Sequence, residues 1–166
     1  MPITPLHLLA GVGLKAAAPS RISYGAFAAV NILVDVDSAI GLMGFYDSPF
    51  VSDGQSPHIH GAPHSFLLVT ILALVVYAFM RKHHGAFLGA FIGGWSHIAL
   101  DMFYHSDLSP FIPFTLANPF YGLVPPMALD WLCVALGVLL PAYFWRSYKS
   151  LAEVKAAWNG KITARA

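Results

Sequence analysis

The chain has 166 residues and a formal net charge of +1; 57% of its residues are hydrophobic and 10% are charged. Ordinary soluble domains carry roughly 25% charged residues, so this balance, with a mean hydropathy of +0.65, argues against a soluble enzyme, a disordered tail or a coiled coil. The small charge excludes a nucleic-acid footprint, and the single Cys133 excludes an internal disulfide or a cysteine-based zinc cluster.

In chain order, the apolar segment Ile3 to Leu14 is short for a full membrane crossing and reads as a short N-terminal helix, whether tilted across the membrane, a half-helix or interfacial. The leading residues carry no positive charge, so they do not form the pattern of a secretory signal. Four stretches follow with near-spanning length: about Ile22 to Phe45, His64 to Met80, Gly85 to Tyr104 and Pro126 to Trp145. The expected fold class is therefore all-α: an integral membrane helical bundle of four full spans plus the short N-terminal helix. Residues 1–145 form the membrane-embedded domain. Residues 146–166, with Leu151, Val154 and Trp158 on a helical period among lysines, form a cytoplasmic amphipathic tail.

Basic residues set the expected topology. Lys15 and Arg21 precede the first full span, Arg81 and Lys82 lie between the second and third, and Arg146, Lys149, Lys155, Lys161 and Arg165 follow the fourth. The opposite loops hold Asp47, Asp53 and Asp107 and no basic residue. By the positive-inside rule the basic face is cytoplasmic and the two longer loops face outward. A bacterial or archaeal cytoplasmic (inner) membrane is the expected location.

Several polar residues interrupt these apolar runs. Asp35 and Asp37 sit inside the first span, His97 and Asp101 inside the third, and Asp130 one turn into the fourth. An aspartate at a helix centre costs roughly 2.5–3.5 kcal/mol on insertion scales. Mutual hydrogen bonding, a water-filled cavity or a cation must offset that cost. His97, Asp101 and His105 recur every four residues, so they form one stripe on one helix face. His60 and His64 share that spacing at the mouth of the second span, with His58 just upstream, and His7 is alone in the N-terminal segment. Asp35 and Asp37 are two apart and point to different faces of an unbroken helix. Imidazole and carboxylate without thiolate suit zinc first and other divalent metals second. The surplus over four ligands points to a site of two or three ions that activates water.

Bland readings exist for each residue. His97 with Asp101 can be a buried hydrogen-bonded pair, and Asp130 a charge favoured by a helix N-terminus. His83 and His84 read as solvated, Gly89, Gly93 and Gly94 as close helix packing, and Cys133 as core.

The runs Thr4-Pro5-Leu6-His7, Asn31 to Asp37, His60-Gly-Ala-Pro-His64-Ser65 and Ser96-His97-Ile-Ala-Leu-Asp101 together resemble the YdjM-type membrane-bound metal-dependent hydrolase family. The loop from Asp107 to Pro113, with Asn118-Pro119, extends the resemblance to about Pro2 to Pro125. It implies a helical membrane protein related to zinc-dependent phospholipase C. It also implies that His7, an aspartate of the Asp35/Asp37 pair, His60, His64, His97 and Asp101 are metal ligands. Better-known members have one more residue between the two histidines before the serine, which puts His60 in question relative to His58 and leaves the match to His64-Ser65 intact.

The expected function is hydrolysis of a phosphoester or other ester of a lipid or amphiphile at the outer face of the membrane, with Asp37 as general base. Membrane lipid is the expected partner, and a homo-oligomer or a larger complex is compatible with the apolar exterior. The rival reading is a non-catalytic membrane subunit whose polar or metal site is structural. A small metal or proton transporter ranks third, because the inner halves of the spans look apolar.

Overall fold

The computed structural model describes residues 4–36, 64–106, 108–146, 148 and 150–159. Six α-helices and no strands occur among them: α1 (Thr4–Ala17), α2 (Tyr24–Val34), α3 (Phe66–Met80), α4 (Ala86–Tyr104), α5 (Pro126–Trp145) and α6 (Leu151–Trp158). Helix α4 has 19 residues and α5 has 20. At 1.5 Å per residue they extend about 28–30 Å, the thickness of a bilayer's hydrocarbon core. These two are long and apolar enough to cross a membrane.

Among the described residues the expected four full spans are thereby corrected to two. Over the expected first span, residues 24–34 form helix, Asp35 is its C-cap, and residues 37–63 lie outside the described set. The expected second span gives 15 helical residues, about 22 Å. Its start is fixed chemically: Ser65 is extended, and its Oγ accepts from the Leu68 N–H at 3.2 Å. An apolar count cannot see such a cap, because Ser65 sits beside a histidine and a long apolar run.

Helix α2 packs on α4, α3 packs on α4, and α1 packs chiefly on α5. Small residues allow the close approaches. A Cβ on Gly93 would lie 2.7 Å from the Phe27 carbonyl oxygen, so α2 and α4 touch backbone to backbone. A Cβ on Gly13 would likewise collide with the Leu136 carbonyl of α5. The core that these contacts close includes Val30, Val34, Val69, Ala73, Ala90 and Ile98. Outside it, Ile32, Leu67, Ile71, Leu74, Phe79, Trp131 and Leu139 are exposed. An apolar surface of this extent is what a bilayer would cover.

Chain direction alternates between helices, so Lys15, Arg21, Arg81, Lys82 and Arg146 gather at the ends remote from Asp35, His64 and Asp101. At the other end, the segment after α4 folds back over the bundle. The Asn118 amide donates to the Met102 and His105 carbonyls at 2.8 Å each, the Phe66 N–H donates to Pro110 O at 2.9 Å, and Leu108 is buried. The Tyr104 hydroxyl lies 2.5 Å from Asp130 Oδ1, to which it donates, and 2.7 Å from Pro126 O, joining α4 to α5. Asp130 is therefore an interhelical acceptor, a role its position near a helix start did not announce.

The C-terminal helix α6 turns back onto the bundle. Ser150 caps it by accepting from the Glu153 N–H, Ala157 is buried, and the Trp158 ring lies 6.0 Å from that of Tyr24.

Candidate metal centre

Three helices deliver four polar side chains to one place. Asp35 comes from the end of α2, His64 from the residue before the α3 cap, and His97 and Asp101 from successive turns of α4. One ligand atom from each of these four lies within 4.8 Å of all the others. His64, His97 and Asp101 are buried. Asp35 is the partly open member, with 24% of its side chain exposed.

The distances define the chemistry. His97 Nε2 lies 3.0 Å from Asp101 Oδ2 and 3.2 Å from Asp35 Oδ1, and His64 Nε2 lies 3.5 Å from Asp35 Oδ1. On its other side, His97 Nδ1 lies 3.1 Å from Asn31 Oδ1. The Asn31 amide is oriented by its own donors, because Nδ2 gives hydrogen bonds to Phe27 O at 2.9 Å and Gly93 O at 3.2 Å. Its oxygen is therefore the atom that faces His97. A neutral imidazole carries one N–H, and Asn31 requires it on Nδ1. That leaves a lone pair on Nε2, between two carboxylate oxygens.

Such an arrangement repels itself unless a positive charge sits in its midst. His97 Nε2 is buried and makes no well-directed hydrogen bond despite the nearby carboxylates. A proton on Nε2 would relieve the repulsion, and so would a divalent cation among the four groups. Two imidazole nitrogens and two carboxylates form a donor set of the kind zinc takes. An orienting hydrogen bond on the remote nitrogen of a ligating histidine is the usual outer-shell arrangement. The residues present fit a metal ion.

His7 stands beside this group and outside the four. Its ring meets that of His97 edge to face, centroids 4.4 Å apart, with the two Nδ1 atoms 3.1 Å from each other. Its Nε2 lies 3.6 Å from Asp101 Oδ1, and the residue is buried. His105, on the same stripe as His97 and Asp101 by spacing, is the C-cap of α4, its backbone N–H donating to Asp101 O. It does not join the gathered group. His83 and His84 are exposed at the other end of the bundle. His58, His60 and Asp37 lie outside the described residues, so the four gathered groups are counted among the described residues alone.

Asn31, an amide with neither charge nor imidazole, is a site residue that ligand chemistry alone does not mark. A signal was available: it lies four residues before Asp35 in an apolar run, hence on the same helix face.

Long apolar helices with exposed aliphatic faces, gathering imidazoles and carboxylates toward one end of the bundle, define an integral membrane protein with a candidate metal centre. The model of the YdjM inner membrane protein family matches residues 1–162. The chain belongs to that family and is an inner membrane protein. No curated protein and no solved structure matches it.

Proposed function

We propose that the chain is a membrane-bound metal-dependent hydrolase, with zinc as the favoured ion, acting on a phosphoester or other ester of a lipid or amphiphile. The observation that carries this reading is the placement of His97 Nε2 at 3.2 Å from Asp35 Oδ1 and 3.0 Å from Asp101 Oδ2, with His64 alongside. Asp35, His64, His97 and Asp101 would hold the ion, with His7 as a further ligand or as the group that steadies His97 and Asp101. A divalent ion supplies Lewis-acid activation of water and neutralises charge developing on an ester oxygen.

The chain's own residues provide the rest. Asn31 holds the His97 tautomer, and α4 fixes His97 and Asp101 one turn apart, so little reorganisation accompanies reaction. The exposed edge of Asp35 is where a substrate would approach. In this reading Asp37, two residues further on, takes the proton from water as general base. The cluster of basic residues at the remote helix ends supports an orientation with the metal centre toward the outer side. A lipid headgroup would then reach it from the outer leaflet.

A chromogenic phosphodiester assay on protein purified in detergent tests the proposal. Hydrolysis should be lost in His97→Ala and Asp101→Ala, and should stop on chelation and return with zinc. Full activity in metal-stripped protein would refute it. The rival reading, a non-catalytic subunit with a structural polar centre, gains if protein with its metal in place hydrolyses no phosphoester or carboxylic ester.

A further inference from the structure

A second polar site lies at the opposite end of the bundle. A pocket of about 290 Å³ is lined by Lys15, Ser23, Tyr24, Gly25, His83, His84 and Trp158, among others. This volume is near the lower end for small-molecule sites, and none of the described residues lining it is acidic. Lys15 is buried, donates to the Pro19 carbonyl, and holds its ammonium 5.7 Å from the centre of the Trp158 ring. An ammonium has three donors; the carbonyl takes one, and an aromatic face neutralises little of the charge.

The start of α2 adds to this. Ser23 Oγ accepts from the Ala26 N–H, and the Tyr24 and Gly25 N–H groups take no acceptor among the described residues. They present the positive end of the helix dipole on the wall where Gly25 leaves the backbone uncovered. A buried cation, two imidazoles and a helix start converge on one cavity, with no acidic residue among the described residues that line it.

We propose that this pocket binds a phosphate group, carried by an anionic lipid headgroup or by a soluble phosphoester. Lys15 supplies the fixed charge, His83 and His84 donate from the rim, and α6 closes the wall through Trp158. The site is distinct from the metal centre: on α1, Lys15 lies eight residues from His7, about 12 Å along the axis. From Gly25 to Asp35 on α2 is ten residues, about 15 Å. The proposal does not depend on hydrolysis at the metal centre.

Binding is measured by fluorescence titration of the full chain in neutral detergent, once with inorganic phosphate and once with short-chain phosphatidylglycerol, using diacylglycerol as the uncharged control. We expect saturable binding of at least one anion and none of diacylglycerol. Saturation by inorganic phosphate identifies a soluble ligand, and saturation by the phospholipid alone identifies a headgroup. Lys15→Met should weaken binding at least tenfold. Because that variant removes a buried contact, His83→Gln/His84→Gln, which alters exposed side chains, provides the second arm and should weaken binding severalfold. His97→Ala should retain the component of binding that Lys15→Met removes. No saturation with either anion, or binding lost in His97→Ala and kept in Lys15→Met, overturns the proposal.

Discussion

Asn31→Leu tests the reasoning about the His97 tautomer. The substitution is close in volume and buries no new polar group, so its effects come from three hydrogen bonds: to Phe27 O, to Gly93 O and from His97 Nδ1. A net contribution of roughly 0.5–1.5 kcal/mol each puts the loss of stability at about 1.5–4.5 kcal/mol. The metal effect is separate. Without the Asn31 oxygen, His97 is free to place its proton on Nε2 and to turn its ring, and loss of such an orienting partner typically costs 10–100-fold in metal affinity. That range corresponds to about 1.4–2.7 kcal/mol. Competition with a zinc chelator gives the affinity, and thermal unfolding of the stripped protein gives the stability independently. A variant that binds zinc within twofold of the parent would refute the assignment of the lone pair to Nε2.

Other expectations follow from the same contacts. Chelation should lower the unfolding temperature: with free zinc at a hundred times Kd the ion contributes about 2.7 kcal/mol, roughly 5–10 °C for a chain of this size, and an unchanged temperature would speak against a folded-state site. Gly93→Ala forces a Cβ to within 2.7 Å of the Phe27 carbonyl oxygen, so α2 must shift away from α4. A stability loss of about 1–3 kcal/mol should come with weaker metal binding, because Asn31 and Asp35 move with α2. Tyr104→Phe removes the donor to Asp130 and should cost about 1–3 kcal/mol while leaving zinc stoichiometry at the parent value, since Tyr104 touches none of the four gathered groups.

Particular residues show what was legible in the sequence. The stripe of His97 and Asp101 was readable because helical period alone puts residues four apart on one face, and the structure keeps both on α4. Asp35 and His64 stood out as polar groups in or beside apolar runs. Their convergence with α4 depends on the approach of α2 at Gly93, a tertiary fact that hydropathy does not encode. Helix lengths fall short of a full span at two places: the Ser65 cap starts α3 at Phe66 and leaves it 15 residues, and α2 ends at Val34 with Asp35 as its C-cap. His105 shared the spacing of the stripe and yet caps its helix, because the chain turns there to cover the bundle. Asn31 went unremarked as a site residue because an amide neither titrates nor commonly binds metal. Its importance lies in which nitrogen of His97 it leaves bare.

Metal stoichiometry by elemental analysis, on protein purified without chelator, bears most directly on whether the gathered side chains hold a cation. We expect a divalent ion, at one or more per chain, in the parent protein, and its loss in His97→Ala and Asp101→Ala. Parent protein with no bound divalent ion, folded and as stable as it is with zinc added, would mean that a proton on His97 is enough to hold the two carboxylates together.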